Sequence, residues 1–311
     1  MIVTLIMLVV GLALLVKGAD LFVGGGSGLA LRHRISPALI GSTIIAFGTS
    51  LPELVVSSDA AATGNTGIAL GNVIGSNIAN IALVLALCTL IRPTMIAASG
   101  TSRSALLRHT VLMLVATGAF ALLAMRGTLD ALAGGVLLAL FAVILVVLVR
   151  EGREEGDVEI KSHGWADALY IGLGLAAVII GARLVVDGAV TLAEAFGIPA
   201  FVIGVSIVAV GTSLPELATS LVAAVRNEGA ISIGNILGSN IFNLLLVLGI
   251  SLLLAPATVG SPLDIIAVVL FSAAILPLLF CRPSFIRGWS IVLLVGYVAY
   301  IAWIFTTAPP G

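Results

Sequence analysis

The chain has 311 residues, 60% of them hydrophobic and only 9% charged, with a formal net charge of −1. A soluble domain carries about 25% charged residues, so this composition cannot cover a water-facing surface. It also excludes a disordered chain, a disulfide framework (Cys88 and Cys281 are the only cysteines) and a nucleic-acid partner, which would need a basic field.

What remains is an all-α polytopic membrane protein. A hydrocarbon core about 30 Å thick takes roughly 20 apolar residues per helix. On that ruler the sequence predicts ten spans, at 2–30, 37–61, 68–91, 105–125, 130–150, 165–193, 199–225, 232–254, 264–281 and 286–305. Met1 to Val16 lacks a basic leader and a small-residue cleavage site, so it reads as the first span and not as a signal peptide. The first and sixth spans are long enough to tilt or kink, and Gly24-Gly25-Gly26 is the expected soft point of the first.

Lysine and arginine set the orientation. With the N-terminus outside, the inside loops hold Arg32, Arg34, Arg92, Arg103, Arg108, Arg150, Arg153, Lys161, Arg226, Arg282 and Arg287, and the outside loops hold Arg126 alone. Both termini are therefore expected outside. Residues 151–163 carry five acids without the spacing or turn glycine of a calcium loop, and read as a solvated cytoplasmic linker. That linker divides a first five-helix unit, 1–150, from a second, 164–311.

The two units repeat. A shift of 163 residues aligns Gly41–Pro93 with Gly204–Pro256, and 26 of these 53 positions are identical. GTSLPEL stands at 48–54 and again at 211–217; GNVIGSNIAN at 71–80 answers GNILGSNIFN at 234–243. Matches through Gly, Asn, Pro and Glu at one offset signal duplication. Five spans per unit is an odd number, so the second unit is inverted relative to the first. Inverted repeats about an axis in the membrane plane recur in secondary transporters, with the ion site where the halves meet.

Glu53 and Glu216 lie deep in the second and seventh spans. A carboxylate near the bilayer centre costs about 2.5–3.5 kcal/mol on insertion scales, which marks the pair as functional. Pro52 and Pro215 each remove an N–H and disturb the preceding turn, freeing carbonyls around Gly48–Thr49 and Gly211–Thr212. Thr49, Ser50, Thr212 and Ser213 add hydroxyls one turn away, and the second half of each motif adds Ser76 with Asn80 and Ser239 with Asn243, each pair at i,i+4. Gly71, Gly75, Gly234 and Gly238 are placed to let these helices approach the kinked ones. The donors are all hard oxygen, which selects Na⁺, Ca²⁺ or Mg²⁺ over zinc, copper or iron. Mg²⁺ sheds water reluctantly, so a flexible oxygen cage suits Ca²⁺. Two carboxylates neutralise one Ca²⁺ or two Na⁺, and competition for such a site is a physical basis for exchange.

Together these motifs resemble the alpha repeats of the cation/calcium antiporter superfamily, in particular its compact prokaryotic sodium/calcium exchangers. The resemblance implies ten helices in a prokaryotic cell (inner) membrane, exchange of Na⁺ for Ca²⁺ by alternating access, no cofactor, no catalytic residues and no obligate protein partner. It also implies a cluster of four subsites, one for Ca²⁺ and up to three for Na⁺. Glu53 and Glu216 would be shared ligands, with the carbonyls of Thr49 and Thr212 completing the calcium site. Ser76, Ser50 and the Ala46 carbonyl would serve one flanking sodium site; Ser213, Ser239 and the Ala209 carbonyl would serve the other. Asn80 and Asn243 would line the middle. Some relatives carry Asp where this chain has Asn243, so this site has one acid fewer and a charge of −2.

Protons could replace Na⁺ at the same carboxylates, giving an H⁺/Ca²⁺ exchanger, and a passive cation channel could use the same oxygens. An intramembrane enzyme lacks a His or Lys near the repeated Ser and Glu. Of the other charges within spans, Lys17–Asp20 at i,i+3 and Arg183–Asp187 at i,i+4 read as self-neutralising pairs, and Asp130 and Asp264 as first-turn helix residues.

Overall fold

The computed structural model describes residues 2–96, 103–151, 165–196, 209–280 and 282–307. Long apolar stretches satisfy their backbone groups internally by forming helices, as hydrocarbon requires. In chain order these are α1 (Ile2–His33), α2 (Pro37–Thr49), α3 (Leu51–Ala62), α4 (Thr66–Ile91), α5 (Arg103–Ala124), α6 (Ala131–Glu151), α7 (Ala166–Ala195), α8 (Ala209–Thr212), α9 (Leu214–Val225), α10 (Gly229–Leu254), α11 (Pro262–Ala273), α12 (Leu276–Phe280) and α13 (Pro283–Thr307). A two-residue pairing of Thr128–Leu129 with Ala257–Thr258 ties two loops together.

Among the described residues, eight helical stretches are long and apolar enough to cross a membrane, and α2 with α3, bent by 45° at Ser50, makes a ninth. The predicted seventh span lies in part outside the described residues; α8 and α9 are its described portion. The linker lies outside them too, apart from Glu151, which ends α6.

α4 and α10 form the centre. Their apolar windows are 72% and 83% buried, against 39% or less for the other candidate spans. Each contains a π-helical segment, Asn80–Leu85 and Phe242–Val247, within one residue of the same place in the repeat, and α2 contains another at Gly41–Ile45. Such wider turns cluster at functional sites because they re-aim side chains and loosen the i→i−4 ladder.

α1 and α7 lie antiparallel along a seam of glycines. A Cβ on Gly11 would stand 2.9 Å from the Gly181 carbonyl, one on Gly18 2.9 Å from that of Gly174, and one on Gly174 2.5 Å from the Phe22 nitrogen. These contacts are reciprocal at the 163-residue offset: Gly11 meets Gly181 while Gly18 meets Gly174, and Gly25 meets Ile171 while Gly188 meets Leu8. α2 and α10 also meet closely: a Cβ on Gly234 would stand 2.5 Å from the Ala38 carbonyl and one on Gly238 2.6 Å from Ser42, whereas Gly71 and Gly75 have nothing within 4 Å among the described residues. The stretch that the offset would set against Gly71 and Gly75, 201–205, lies outside the described residues.

Two expectations are corrected. α1 runs unbroken through Gly24-Gly25-Gly26, because Gly25 is filled by the backbone of Asp167 and Ile171, Gly26 by Ile45, and Gly24 by the Arg226 guanidinium. Asp20 does not rely on Lys17: its carboxylate takes Arg226 Nη1 at 2.8 Å, across 206 residues of sequence. Arg226 also pairs with Glu228 at 3.1 Å, and Ser27 of α1 donates its hydroxyl to the Glu228 carboxylate. Arg183–Asp187 pair as expected at 3.0 Å. Asp130 caps α6 by accepting the Ala133 N–H at 2.9 Å, and Asp264 accepts the Tyr300 hydroxyl at 3.1 Å.

Two outcomes follow. Gly174→Val overpacks the seam and should destabilise the protein by about 1–3 kcal/mol, whereas Gly172→Val, with nothing within 4 Å, should be silent. Thermal unfolding in detergent reads the difference, and equal transitions would contradict the seam. Burial raises the carboxyl of Glu228, in the turn before α10, above its usual range, although Ser27 and Arg226 pull it back. Its contribution to stability is therefore full below the ordinary carboxylate range and is lost as pH rises through the raised value. Glu228→Gln should flatten that segment of the stability-against-pH curve; an unchanged slope would refute the assignment.

Candidate cation site

Each glutamate stands in the first turn of a half-helix that restarts after a break. Ser50 and Ser213 form the breaks with nearly the same backbone, φ −84° ψ 4° and φ −87° ψ 4°. Pro52 and Pro215 follow at the second helical position, where a missing N–H costs least. The half-helices α3 and α9 thus direct their positive ends toward Glu53 and Glu216 inside the protein.

Both carboxylates are completely buried. Glu53 has Glu216, Thr212 and Ser76 as polar neighbours; Glu216 has Ser50, Thr49 and Ser239. The Ser50 hydroxyl donates to Glu216 Oε1 at 3.2 Å, and Thr49 Oγ1 lies 3.4 Å from Ser239 Oγ. Each glutamate is thus met by hydroxyls from the other half of the chain. Nine of the expected residues gather in buried positions on facing elements: Glu53, Glu216, Thr49, Ser50, Ser76, Ser239, Asn80, Asn243 and Ser213. Thr212 is half-buried against Asn72, and the backbone of Ala209 starts α8. The Ala46 carbonyl accepts the Ser50 N–H at 3.0 Å, and the Thr49 hydroxyl stands 3.3 Å from it as an alternative to its bond to Asn235.

More than 90% of buried polar groups in folded proteins find a hydrogen-bond partner. Here, among the described residues, ten buried side-chain atoms have none: both oxygens of Glu53, one of Glu216, both amide atoms of Asn243, and single atoms of Ser76, Asn77, Asn80, Ser213 and Thr219. All lie within the two aligned stretches, 41–93 and 204–256, and all but Thr219 within the repeated motifs themselves. The donor set is almost entirely oxygen, its formal charge is −2, and no three His, Cys, Asp or Glu converge among the described residues. Chemically this is an enclosure for a hard cation.

Sequence reasoning missed Asn72, Asn235 and Asn240. Asn72 Oδ1 accepts from Thr212 at 3.3 Å and Asn235 Oδ1 from Thr49 at 3.1 Å, while Asn80 donates to Asn240 Oδ1 at 3.0 Å. The signal was present, since all three stand inside the repeated GN and GSN segments.

Residues 3–150 and 167–306 match the family model described as sodium/calcium exchanger protein. The chain belongs to the sodium/calcium exchanger family. The match passes over the linker and takes in both glutamate motifs. Inner membrane protein YrbG of Escherichia coli is 34% identical over 322 residues, 97% of each chain. Sodium/calcium exchanger MaX1 of Methanosarcina acetivorans is 33% identical over 350 residues, 97% of this chain and 99% of the relative. A solved structure of the sodium-calcium exchanger NCX_Mj, soaked with Na⁺ and Sr²⁺, superposes with a TM-score of 0.83 at 33% identity, over 97% of this chain and 98% of that one. The family and the apolar helices make the chain an integral multi-pass membrane protein, and a transporter exchanging Ca²⁺ against other cations.

If the glutamates are kept for ions, they cost the ion-free fold. Glu53→Leu, which removes two unpartnered buried oxygens, should stabilise the ion-free protein by about 1–3 kcal/mol. Chelator-treated protein in thermal unfolding tests this; a loss of stability would show Glu53 to be a structural group.

Proposed function

We propose that the chain is a Na⁺/Ca²⁺ antiporter that works by alternating access, with the site between Glu53 and Glu216. The observation that carries this reading is the pair of completely buried carboxylates set among orphaned oxygens of both halves. The ligands are those named from the motifs: Glu53 and Glu216 shared, the Thr49 and Thr212 carbonyls for Ca²⁺, and Ser50, Ser76, Ser213 and Ser239 for flanking Na⁺. Asn80 and Asn243 line the middle. The Ala46 and Ala209 carbonyls complete the sodium sites.

The architecture in this reading is ten spans in two inverted five-helix repeats, 1–150 and 164–311, joined by a cytoplasmic linker. The reciprocal contacts at the 163-residue offset support it, because a pairing of i with j+163 and of j with i+163 is what a two-fold axis produces. Both termini face out, and YrbG, named as an inner membrane protein, supports that membrane for this chain. α1 and α7 slide as one unit past a core of α2–α4 and α8–α10, opening one path while closing the other. Their mutual glycine seam supports movement as a pair.

Coupling follows from electrostatics. Two bare carboxylates cross a low-dielectric core poorly, so the site reorients only when loaded. Exchange of three Na⁺ for one Ca²⁺ moves one net charge per cycle, worth about 2.3 kcal/mol per 100 mV.

Vesicles containing the purified protein, loaded with Na⁺ and diluted into Na⁺-free buffer, should accumulate ⁴⁵Ca²⁺. Glu53→Gln and Glu216→Gln should abolish the uptake, and undiminished uptake in both would overturn the site. Uptake driven by a pH gradient in the absence of Na⁺ would replace Na⁺ with H⁺ as the coupling ion. Uptake indifferent to either gradient would indicate a channel.

A further inference from the structure

We infer that Asn72 and Asn235 are positioning residues for the ion site, each setting the hydroxyl proton of the threonine that ends the other half's broken helix. The inference rests on the reading that Glu53 and Glu216 hold the ion. Thr49 ends α2 and Thr212 ends α8. The Thr49 hydroxyl donates to Asn235 Oδ1 at 3.1 Å, and the Thr212 hydroxyl to Asn72 Oδ1 at 3.3 Å. Each amide is held from its other end. Asn235 Nδ2 donates to Ser220 Oγ at 2.9 Å on the Glu216 helix; Asn72 Nδ2 donates to Ser57 Oγ at 2.9 Å on the Glu53 helix and approaches the Glu53 carbonyl at 3.4 Å. Each asparagine therefore links the helix that carries its own half's glutamate to the break in the other half.

The direction of the proton is what matters. A threonine hydroxyl has one proton and two lone pairs. Beside a carboxylate, its default is to donate that proton, which spends a carboxylate lone pair and turns the hydroxyl's positive end toward the ion's place. Glu216 has Thr49 as a neighbour and Glu53 has Thr212, so the default is available at both. By accepting the proton, Asn235 and Asn72 leave the carboxylates free and turn the hydroxyl lone pairs toward them. Without Asn235, the proton passes to Glu216, to the Ala46 carbonyl at 3.3 Å or to Ser239 Oγ at 3.4 Å. Each of these choices consumes an oxygen that the cation needs. An asparagine serves where an aspartate would add a third negative charge.

The test is Ca²⁺ binding to the purified full-length chain by calorimetric titration, with folding checked by thermal unfolding. Asn235→Leu should weaken Ca²⁺ binding by about tenfold, the effect of one misdirected buried hydrogen bond. Asn235→Asp restores the acceptor, and the Ser220 hydroxyl can rotate to donate to it, so binding should hold or tighten. Thr49→Val should weaken binding alone but add nothing in the Asn235→Leu background, because one interaction is lost only once. Asn235→Leu that unfolds more easily yet binds Ca²⁺ as tightly as the parent would reduce the asparagine to helix glue and overturn the inference. If Asn235→Leu does not fold, Thr49→Val against Thr49→Ser carries the test: equal binding in the two would overturn it. A parent chain that binds no Ca²⁺ overturns the ion-site reading instead.

Discussion

Hydrocarbon on every side leaves a buried carboxylate two ways to exist: paired with a group from the protein, or held ready for an ion from outside. Glu53 and Glu216 have no basic neighbour among the groups that act on them, and each faces hydroxyls from the opposite half. Much of the architecture answers the need to hold them. The helices break at Ser50 and Ser213, so that each glutamate sits at the positive end of a half-helix and not in the middle of a continuous one. α4 and α10 cross beside the breaks and supply amides and hydroxyls, and both change to a wider helical turn where those side chains face the centre. Glycines at 234 and 238 bring α10 against the backbone of α2, near enough for Thr49 to reach Asn235.

The same constraint separates two kinds of glycine. In the centre, glycine shortens the distance between the helices that carry the candidate site residues. Along α1 and α7 it does something else, because that seam contains none of the candidate site residues. The two longest helices meet backbone to backbone through Gly11, Gly18, Gly174 and Gly181, with little side-chain interlock between them at those points. Without a hydrophobic drive between helices in lipid, such contact is held by dispersion and close approach. Their outer faces are largely apolar and exposed, as at Leu5, Val9, Leu173 and Ile180, and that suits a pair bounded by lipid.

The sequence made the centre legible because duplication repeats its polar residues at one offset, where chance would not. Glu53, Ser50, Ser76 and Asn80 could each be read twice, and the breaks could be placed from Pro52 and Pro215. What escaped was of two kinds. Asn72 and Asn235 were visible in the repeat, but their importance depends on reaching across to the other half, which no local spacing reveals. Asp20 was matched with Lys17 because they are neighbours in sequence, whereas the fold brings Arg226 to it across 206 residues. Likewise the three glycines of α1 resemble a hinge until Asp167, Ile45 and Arg226 are packed against them. Propensity describes a helix alone; burial against a neighbour overrides it.

The two halves carry the same residues at the centre and different ones at the helix termini. At the offset of 163, Asp20 corresponds to Arg183, Ser27 to Val190, Thr63 to Arg226 and Asn65 to Glu228. One end of the molecule therefore ties α1 to the turn before α10 through Asp20, Arg226, Glu228 and Ser27. The corresponding positions of α7 hold Arg183, which bonds within its own helix to Asp187. An exchanger built from two identical halves would have its two access states equal in energy apart from the membrane potential. Here the central residues are alike in kind and the ties at the helix ends are not, so under the proposed alternating access these ends are one source of a preference between the states. Even at the centre the bonding is unequal: Ser50 donates to Glu216 and Asn80 to Asn240, whereas Ser213 Oγ, both Glu53 oxygens and both amide atoms of Asn243 have no partner among the described residues.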